Sequence, residues 1–271
     1  LQRKKLHFVQ SLARGLSVLQ AFSAERPALR LSEIAQLTGL NMAAAQRFTD
    51  TLLQLGFLHR NRHREFLLGP KVLSLGFTYL NGNQLKAVAK GFLDEFADRH
   101  RRTMNLGVLE DDAVIFLYRR ESQRFLKYDL QAGSRMPSYC TATGKTLLAG
   151  LADDALRAVL RSLELKPITS RTLTDPAALW ADLMETRRRG WAVCDRELSL
   201  DLYSVGIPIN DQEGRVAAAV NLSLSVEEAR GERLRAMLAE LMELGRGLSA
   251  TFDYQGPYPA FPEPAPEGET L

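Results

Sequence analysis

The spacing of apolar positions changes along the chain, and each change marks an element. From Val9 to Phe22 the residues Leu12, Leu16, Leu19 and Phe22 recur at three- and four-residue steps, the period of a helix with one apolar stripe. That stripe is expected to pack on the helices that follow, and Pro27 closes the segment. Leu31 to Leu58, LSEIAQLTGLNMAAAQRFTDTLLQLGFL, then reads as two helices around a Thr38-Gly39-Leu40 corner. Ser32 is placed to cap the first helix and Asn41 the second, since their side chains can accept from free first-turn amides. Ile34, Ala35 and Leu37 give the first helix its apolar side, and Ala45, Phe48, Thr49 and Leu52 that of the second. Gly39 turns the chain without a Cβ penalty. Phe57-Leu58 and Phe66-Leu67-Leu68 flank the polar run His59-Arg60-Asn61-Arg62-His63-Arg64 and predict a β-hairpin. Pro70 then opens a further helix carrying Val72, Leu73, Leu75, Phe77, Tyr79 and Leu80, too apolar for a plain linker.

Beyond Asn81-Gly82-Asn83, the expected domain boundary, the pattern alternates between helix and strand periods. Leu85–His100 is helical. Met104–Leu109 and Val114–Tyr118 form a hairpin around Glu110-Asp111-Asp112, and Phe125–Leu130 is a third strand. Thr141–Leu151 and Asp153–Leu160 are helical. Asp175-Pro176 starts a helix that Gly190 ends. Trp191–Val193, Tyr203–Ile209 and Val216–Leu224 are strands, and Glu227–Leu248 is a long closing helix. The fold class is therefore α+β. A helical N-terminal domain with a hairpin spans 1–69 and a connecting helix 70–82. A domain built on an antiparallel sheet spans 83–252. The proline- and acid-rich stretch 253–271 is expected to be disordered.

Charge sharpens this division. The net charge of +3 hides a split: residues 1–80 hold 11 Lys/Arg against 4 Asp/Glu, residues 81–252 balance, and 253–271 hold four acids and no Lys or Arg. A basic module beside a neutral one is the footprint of a protein of which one part meets nucleic acid. With 45% hydrophobic residues the chain has the composition of a soluble globular protein. No run approaches the roughly 18–20 apolar residues of a membrane span. The basic start LQRKKLHFVQ lacks the apolar segment of a secretory signal, so the cytoplasm is the expected location and no membrane partner is expected. Two cysteines, Cys140 and Cys194, make neither a disulfide framework nor a zinc pattern. No metal and no cofactor are expected.

Two helices at a tight corner followed by a basic hairpin predict a winged helix-turn-helix that binds double-stranded operator DNA. Met42, Ala43, Ala44, Gln46 and Arg47 fall on the outward face of the second helix, with Ser32 at the start of the first. Gln46 and Arg47 are the candidates for base edges, because Gln pairs with adenine and Arg with guanine through two bonds each. Arg60, Arg62 and Arg64 at the hairpin tip are assigned to backbone phosphates or the minor groove.

With these elements in place, the chain resembles bacterial transcriptional regulators of the IclR family from about Phe8 to Leu248. Four blocks carry the resemblance: LARGLSVLQAFS, the helix-turn-helix, GSRMPSYCTATGKTLLAG, and RRRGWAVCDRELSLDLYSVGIPINDQEGRVAAAVNLS. SLARGL, MPSYCTATGK and YRRESQRFL are most similar to the subgroup that controls protocatechuate and 4-hydroxybenzoate breakdown. The subgroup places arginine or lysine early in the recognition helix, where this chain has Asn41, Met42 and Gln46. The resemblance implies a GAF-like effector domain, a homodimer or dimer of dimers, and a small organic acid effector, an aromatic carboxylate being favoured. It implies effector contacts at Phe125, Tyr128, Ala142, Thr143, Cys194, Asp195, Leu202, Ser204 and Asn221. Amides at the start of the 141–151 helix suit a carboxylate, and Arg119 or Arg124 would supply the countercharge.

Other chemistry fits less well. Gly144-Lys145-Thr146 is not a phosphate-binding loop, because Tyr139 stands where that loop needs glycine. His7, His59, His63 and His100 all lie outside the pocket segments, so no Ser-His-Asp or Cys-His arrangement supports an enzyme. Cys140 and Cys194 read as buried, inert thiols. A remaining alternative is a constitutive DNA-binding protein whose second domain only dimerises.

Overall fold

The computed structural model describes residues 8–23, 25–122 and 130–264. The chain divides into two compact units, Leu1–Gly82 and Asn83–Leu271.

The first unit runs α1 (Gln10–Gln20), β1 (Ala28–Leu29), α2 (Leu31–Thr38), α3 (Met42–Gln54), β2 (Leu58–Arg60), β3 (Phe66–Leu68) and α4 (Lys71–Gly82). Val18, Leu29, Ile34, Leu52, Leu58 and Phe66 make its small core. Gly39 takes φ +66° at the end of α2. The Asn41 side chain accepts from the Ala44 amide at 2.9 Å and starts α3. Ser32 does not cap α2. The helix begins two residues earlier, with Arg30 at the cap, because Glu33 reaches back and accepts from the Arg30 amide at 2.7 Å. A carboxylate three residues into a helix does this whatever the cap side chain is.

Two further expectations change. Leu12 and Leu16 of α1 are exposed, 62% and 50%. Gly15 and Val18 face inward, so Leu19 and Phe22 pack while the other half of the stripe does not. The hairpin gains a third strand after Pro27: β1 pairs with β3 (Leu29 opposite Phe66), giving the order β1-β3-β2. No residue of α4 is buried in this chain.

The second unit runs α5 (Gln84–His100), β4 (Thr103–Glu110), β5 (Ala113–Arg120), β6 (Arg135–Pro137), α6 (Ala142–Ala149), α7 (Asp153–Ser162), α8 (Pro176–Arg189), β7 (Ala192–Asp195), β8 (Leu202–Asn210), β9 (Val216–Ser225) and α9 (Gly231–Ala250). The strand expected at 125–130 falls, but for Leu130, outside the described residues; β6 appears where none was expected. The six strands form one antiparallel sheet of order β6-β5-β4-β9-β8-β7. The class is α+β, with helices on both faces. On one face the Tyr118 hydroxyl donates to Asp94 of α5 at 2.5 Å, and Ile207 meets α9 at Gly245. On the other lies α6. A Cβ at Gly206 would sit 2.4 Å from the Ala142 carbonyl oxygen, and one at Gly144 would sit 2.2 Å from that of Ser138. Glycine at both positions lets backbone meet backbone. Leu148, Leu156, Leu179, Trp180 and Leu183 close the core between α6, α7 and α8.

The C-terminal stretch departs from expectation over its described part, 253–264, which is packed rather than disordered. The Tyr258 hydroxyl donates to the Pro208 carbonyl at 2.8 Å. Asn210 donates to the Ala260 carbonyl at 2.8 Å and accepts from its amide at 3.2 Å. Phe261 packs on the α6–α8 core, and Arg187 donates to the Glu263 carbonyl at 3.0 Å. Two aromatic anchors and paired backbone groups outweigh the proline-rich composition.

Candidate functional site

The helix-turn-helix face is built from α3. Ala45, Thr49 and Leu52 hold the helix on its core, which turns Met42, Ala43 and Arg47 out as exposed side chains. Ala44 and Gln46 are partly buried. Gln46 is already engaged: its amide donates to Asp50 Oδ1 one turn on, at 2.6 Å. Of the two side chains, Arg47 is therefore the freer to reach outward. Ser32 is exposed in the first turn of α2.

The hairpin turn is held by Asn61, whose side chain accepts from the amides of His63 and Glu65 at 2.9 and 3.0 Å. Arg64 takes the left-handed conformation, φ +61°. This closes the turn tightly and leaves Arg62, His63 and Arg64 exposed at its tip. Arg60 is set back, its guanidinium stacked 4.5 Å over the Phe66 ring.

The second site follows from strand register. Directly opposed residues of neighbouring strands share a face, and successive residues alternate. Gly206 faces α6, so its row does too: Ala192, Gly206, Asn221, Asn105 and Arg119. The next row toward the sheet end is Cys194, Ser204, Ser223 and Thr103. Leu202 follows on the same face, and Ala142 and Thr143 of α6 stand against Gly206 and Gly107. Six of the expected contacts on strands and helix thus converge: Ala142, Thr143, Cys194, Leu202, Ser204 and Asn221. Arg119 joins them. Asp195 does not; it pairs with Tyr203 and lies on the opposite face, bonded to Arg196 at 2.8 Å and Arg171 at 3.2 Å. Phe125, Tyr128 and Arg124 lie outside the described residues.

These polar groups are buried and linked. Arg119 donates to Asn105 Oδ1 at 2.8 Å, Asn105 donates to Asn221 Oδ1 at 2.8 Å, and Asn221 reaches Ser223 Oγ at 3.4 Å. Asn105 and Asn221 are 3% and 6% exposed. Thr103, Asn105 and Ser223 were missed from sequence. Their signal was present as polar residues on alternate positions of apolar strands, TMNLGVLE and VNLSLS.

Behind α6, Lys145 is 1% exposed and anchors the β7–β8 loop. Its ammonium lies 2.9 Å from Asp182 Oδ2, donates to Glu197, and reaches the Val193 carbonyl at 3.4 Å. The Cys194 thiol donates to the Cys140 carbonyl at 3.0 Å, and burial pushes its pKa up to about 12. Burial also raises the Cys140 thiol well above its ordinary value. Neither offers a thiolate at neutral pH. Among the described residues, no group of three or more His, Cys, Asp or Glu is placed to hold a metal. No described helix is long and apolar enough to cross a membrane.

The IclR helix-turn-helix domain model matches residues 11–62, and the model of the bacterial transcriptional regulator IclR C-terminal domain matches residues 77–250. The chain belongs to the IclR family. It is thus a DNA-binding transcriptional regulator with an effector domain, not an enzyme. One IclR relative, the Pca regulon regulatory protein of Pseudomonas putida, is 39% identical over 243 residues, 89% of this chain and 83% of that protein. The p-hydroxybenzoate hydroxylase transcriptional activator of Acinetobacter baylyi is 30% identical, over 79% of this chain and 80% of its own. An IclR homologue from Microbacterium hydrocarbonoxydans, solved with 4-hydroxybenzoate, superposes with a TM-score of 0.71 at 26% identity, covering 90% and 99% of the two chains. The packed segment 253–264 lies beyond the residues that the IclR models match.

Proposed function

We propose that this IclR regulator senses a small aromatic carboxylic acid on the α6-side face of its sheet and controls genes for that acid's breakdown. The observation that carries this is the buried polar chain Arg119–Asn105–Asn221 in front of Ala142 and Thr143. A cation, two amides and the hydroxyls of Ser204, Ser223 and Thr103 suit a carboxylate and a ring hydroxyl. The relatives in aromatic-acid regulation support the same class. Arg47 and Gln46 read bases from α3, with Met42, Ala43 and Ala44 lining the groove. Ser32, Arg60, Arg62 and Arg64 hold the DNA backbone.

The regulator works as a homodimer or a dimer of dimers. In the single chain Leu73, Leu75, Phe77 and Tyr79 of α4 are more than half exposed, as are Phe8, Val9 and Leu12 at the start of the chain. Apolar surface of that extent is what an interface between copies covers. The effector acts by binding one arrangement of the DNA-binding pair more tightly than the other, since equal affinity shifts nothing.

A thermal-shift panel of protocatechuate, 4-hydroxybenzoate, the corresponding benzamides and short aliphatic acids tests the reading. An effector at about 100 times its Kd adds about 2.7 kcal/mol. Stabilisation by aliphatic acids alone overturns the aromatic class. No stabilisation by any acid favours the second reading, a constitutive DNA-binding protein whose second domain only dimerises.

A further inference from the structure

We propose that Glu121 is an internal stand-in for the effector's carboxylate, holding the Arg119 guanidinium until a ligand displaces it. This rests on the reading that the α6-side face receives a small carboxylic acid.

The Arg119 side chain is only 10% exposed. A buried guanidinium has five N–H donors to satisfy. One nitrogen donates to Asn105 and another to Glu121 Oε2 at 2.5 Å. Nε is buried and has no acceptor among the described residues. The site is therefore occupied but under-filled. Glu121 bonds one end of the fork, whereas a carboxylate spanning Nε and Nη2 bonds both, the arrangement that matches the two groups best.

The two partners differ in how easily they leave. Arg119 is fixed from behind: Asn105 accepts from it and donates to Asn221, so the amide is oriented at both ends. Glu121 lies just past the end of β5 with its side chain 32% exposed, and the next amide, of Ser122, donates to Thr103 Oγ1 at 3.0 Å. In the exchange Arg119 passes from one carboxylate to another and keeps a carboxylate partner throughout. The exchange leaves no uncompensated charge in the interior, the state that makes breaking a buried pair costly. It also gives the site a threshold. Neutral phenols cannot replace Glu121 charge for charge, so the carboxylate-bearing compound is selected.

The test is calorimetric titration of the full chain with 4-hydroxybenzoate and with its neutral analogue 4-hydroxybenzamide. Wild type is compared with Glu121→Ala and Arg119→Gln. Removing the competitor in Glu121→Ala should tighten 4-hydroxybenzoate about fivefold, the scale of a partly exposed ion pair, and leave the amide nearly unchanged. Arg119→Gln should weaken the acid about thirtyfold or more and bring its affinity close to the amide's. Glu121 is exposed, so the first variant decides the matter even if the second fails to fold. Unchanged or weaker acid binding in Glu121→Ala overturns the stand-in while wild-type binding keeps the aromatic-acid reading. Equal tightening of acid and amide also overturns it, since the gain would not concern the carboxylate. Binding of neither compound to any of the three proteins removes the aromatic-acid reading and the stand-in with it.

Discussion

The outward face of α3 and the α6-side face of the large sheet both carry polar groups, but they hold them differently. On α3 the fold is secured by Ala45, Thr49 and Leu52, and Arg47 hangs free of the core. On the sheet Asn105 and Asn221 are nearly fully buried and bonded to each other, and Asn105 also to Arg119. The first surface separates stability from recognition; the second fuses them. DNA supplies charge and a deep groove, so exposed side chains suffice. A small acid has few atoms, and recognising it requires desolvated, oriented partners.

The largest expected effect lies on the fused side. Lys145→Met removes the cation between Asp182 and Glu197 and leaves the buried Glu197 carboxyl uncompensated. It should cost about 3–5 kcal/mol, read by urea unfolding of the variant. A loss under about 1 kcal/mol would show that the sheet unit tolerates polar rearrangement and would break the contrast. On the exposed side, Arg47→Ala should lose roughly 1–3 kcal/mol of discrimination between operator and scrambled duplex while stability changes by less than about 0.5 kcal/mol. Arg62→Ala should weaken both duplexes alike and lower the salt slope by about 1. Identical behaviour of the two variants would erase the distinction between base reader and backbone clamp.

The smallest effect sharpens the comparison at its edge. The Asp195 carboxyl is held below its ordinary value, first by the hydrogen bond from Arg196 and then by Arg171. A carboxyl lowered on folding adds stability above its unfolded pKa, and that contribution fades as pH falls through the folded value. Asp195→Asn should therefore flatten the melting temperature between about pH 4 and pH 2 and leave neutral pH little changed. An unchanged acid limb would mean the pair is fully screened by solvent.

Much of this was legible in the chain before its structure was known, and particular residues show where that ended. Asn41 and Gly39 mark a helix start and a corner because local backbone chemistry alone demands them. The α6-side site was legible as separate segments; what joined them was register, which places Asn105 between Arg119 and Asn221 across 116 positions of sequence. Leu12 and Leu16 show that periodicity reveals an apolar face without saying what covers it. Asp195 shows how one residue of offset in a strand puts a side chain on the wrong face. Tyr258 and Phe261 anchor a stretch whose composition reads as disorder, because a window average hides two aromatic contacts.

The seat of α6 on Gly206 carries a mechanical consequence. With the Ala142 backbone directly against that of Gly206, helix and sheet pack closely there and form one stiff body. A molecule pressing between the start of α6 and the polar rows meets a wall that does not breathe. Displacement goes instead into the rim, where Glu121 stands. In deuterium exchange the amides of α6 and β8 should open together, with one shared free energy, whether or not the site is filled.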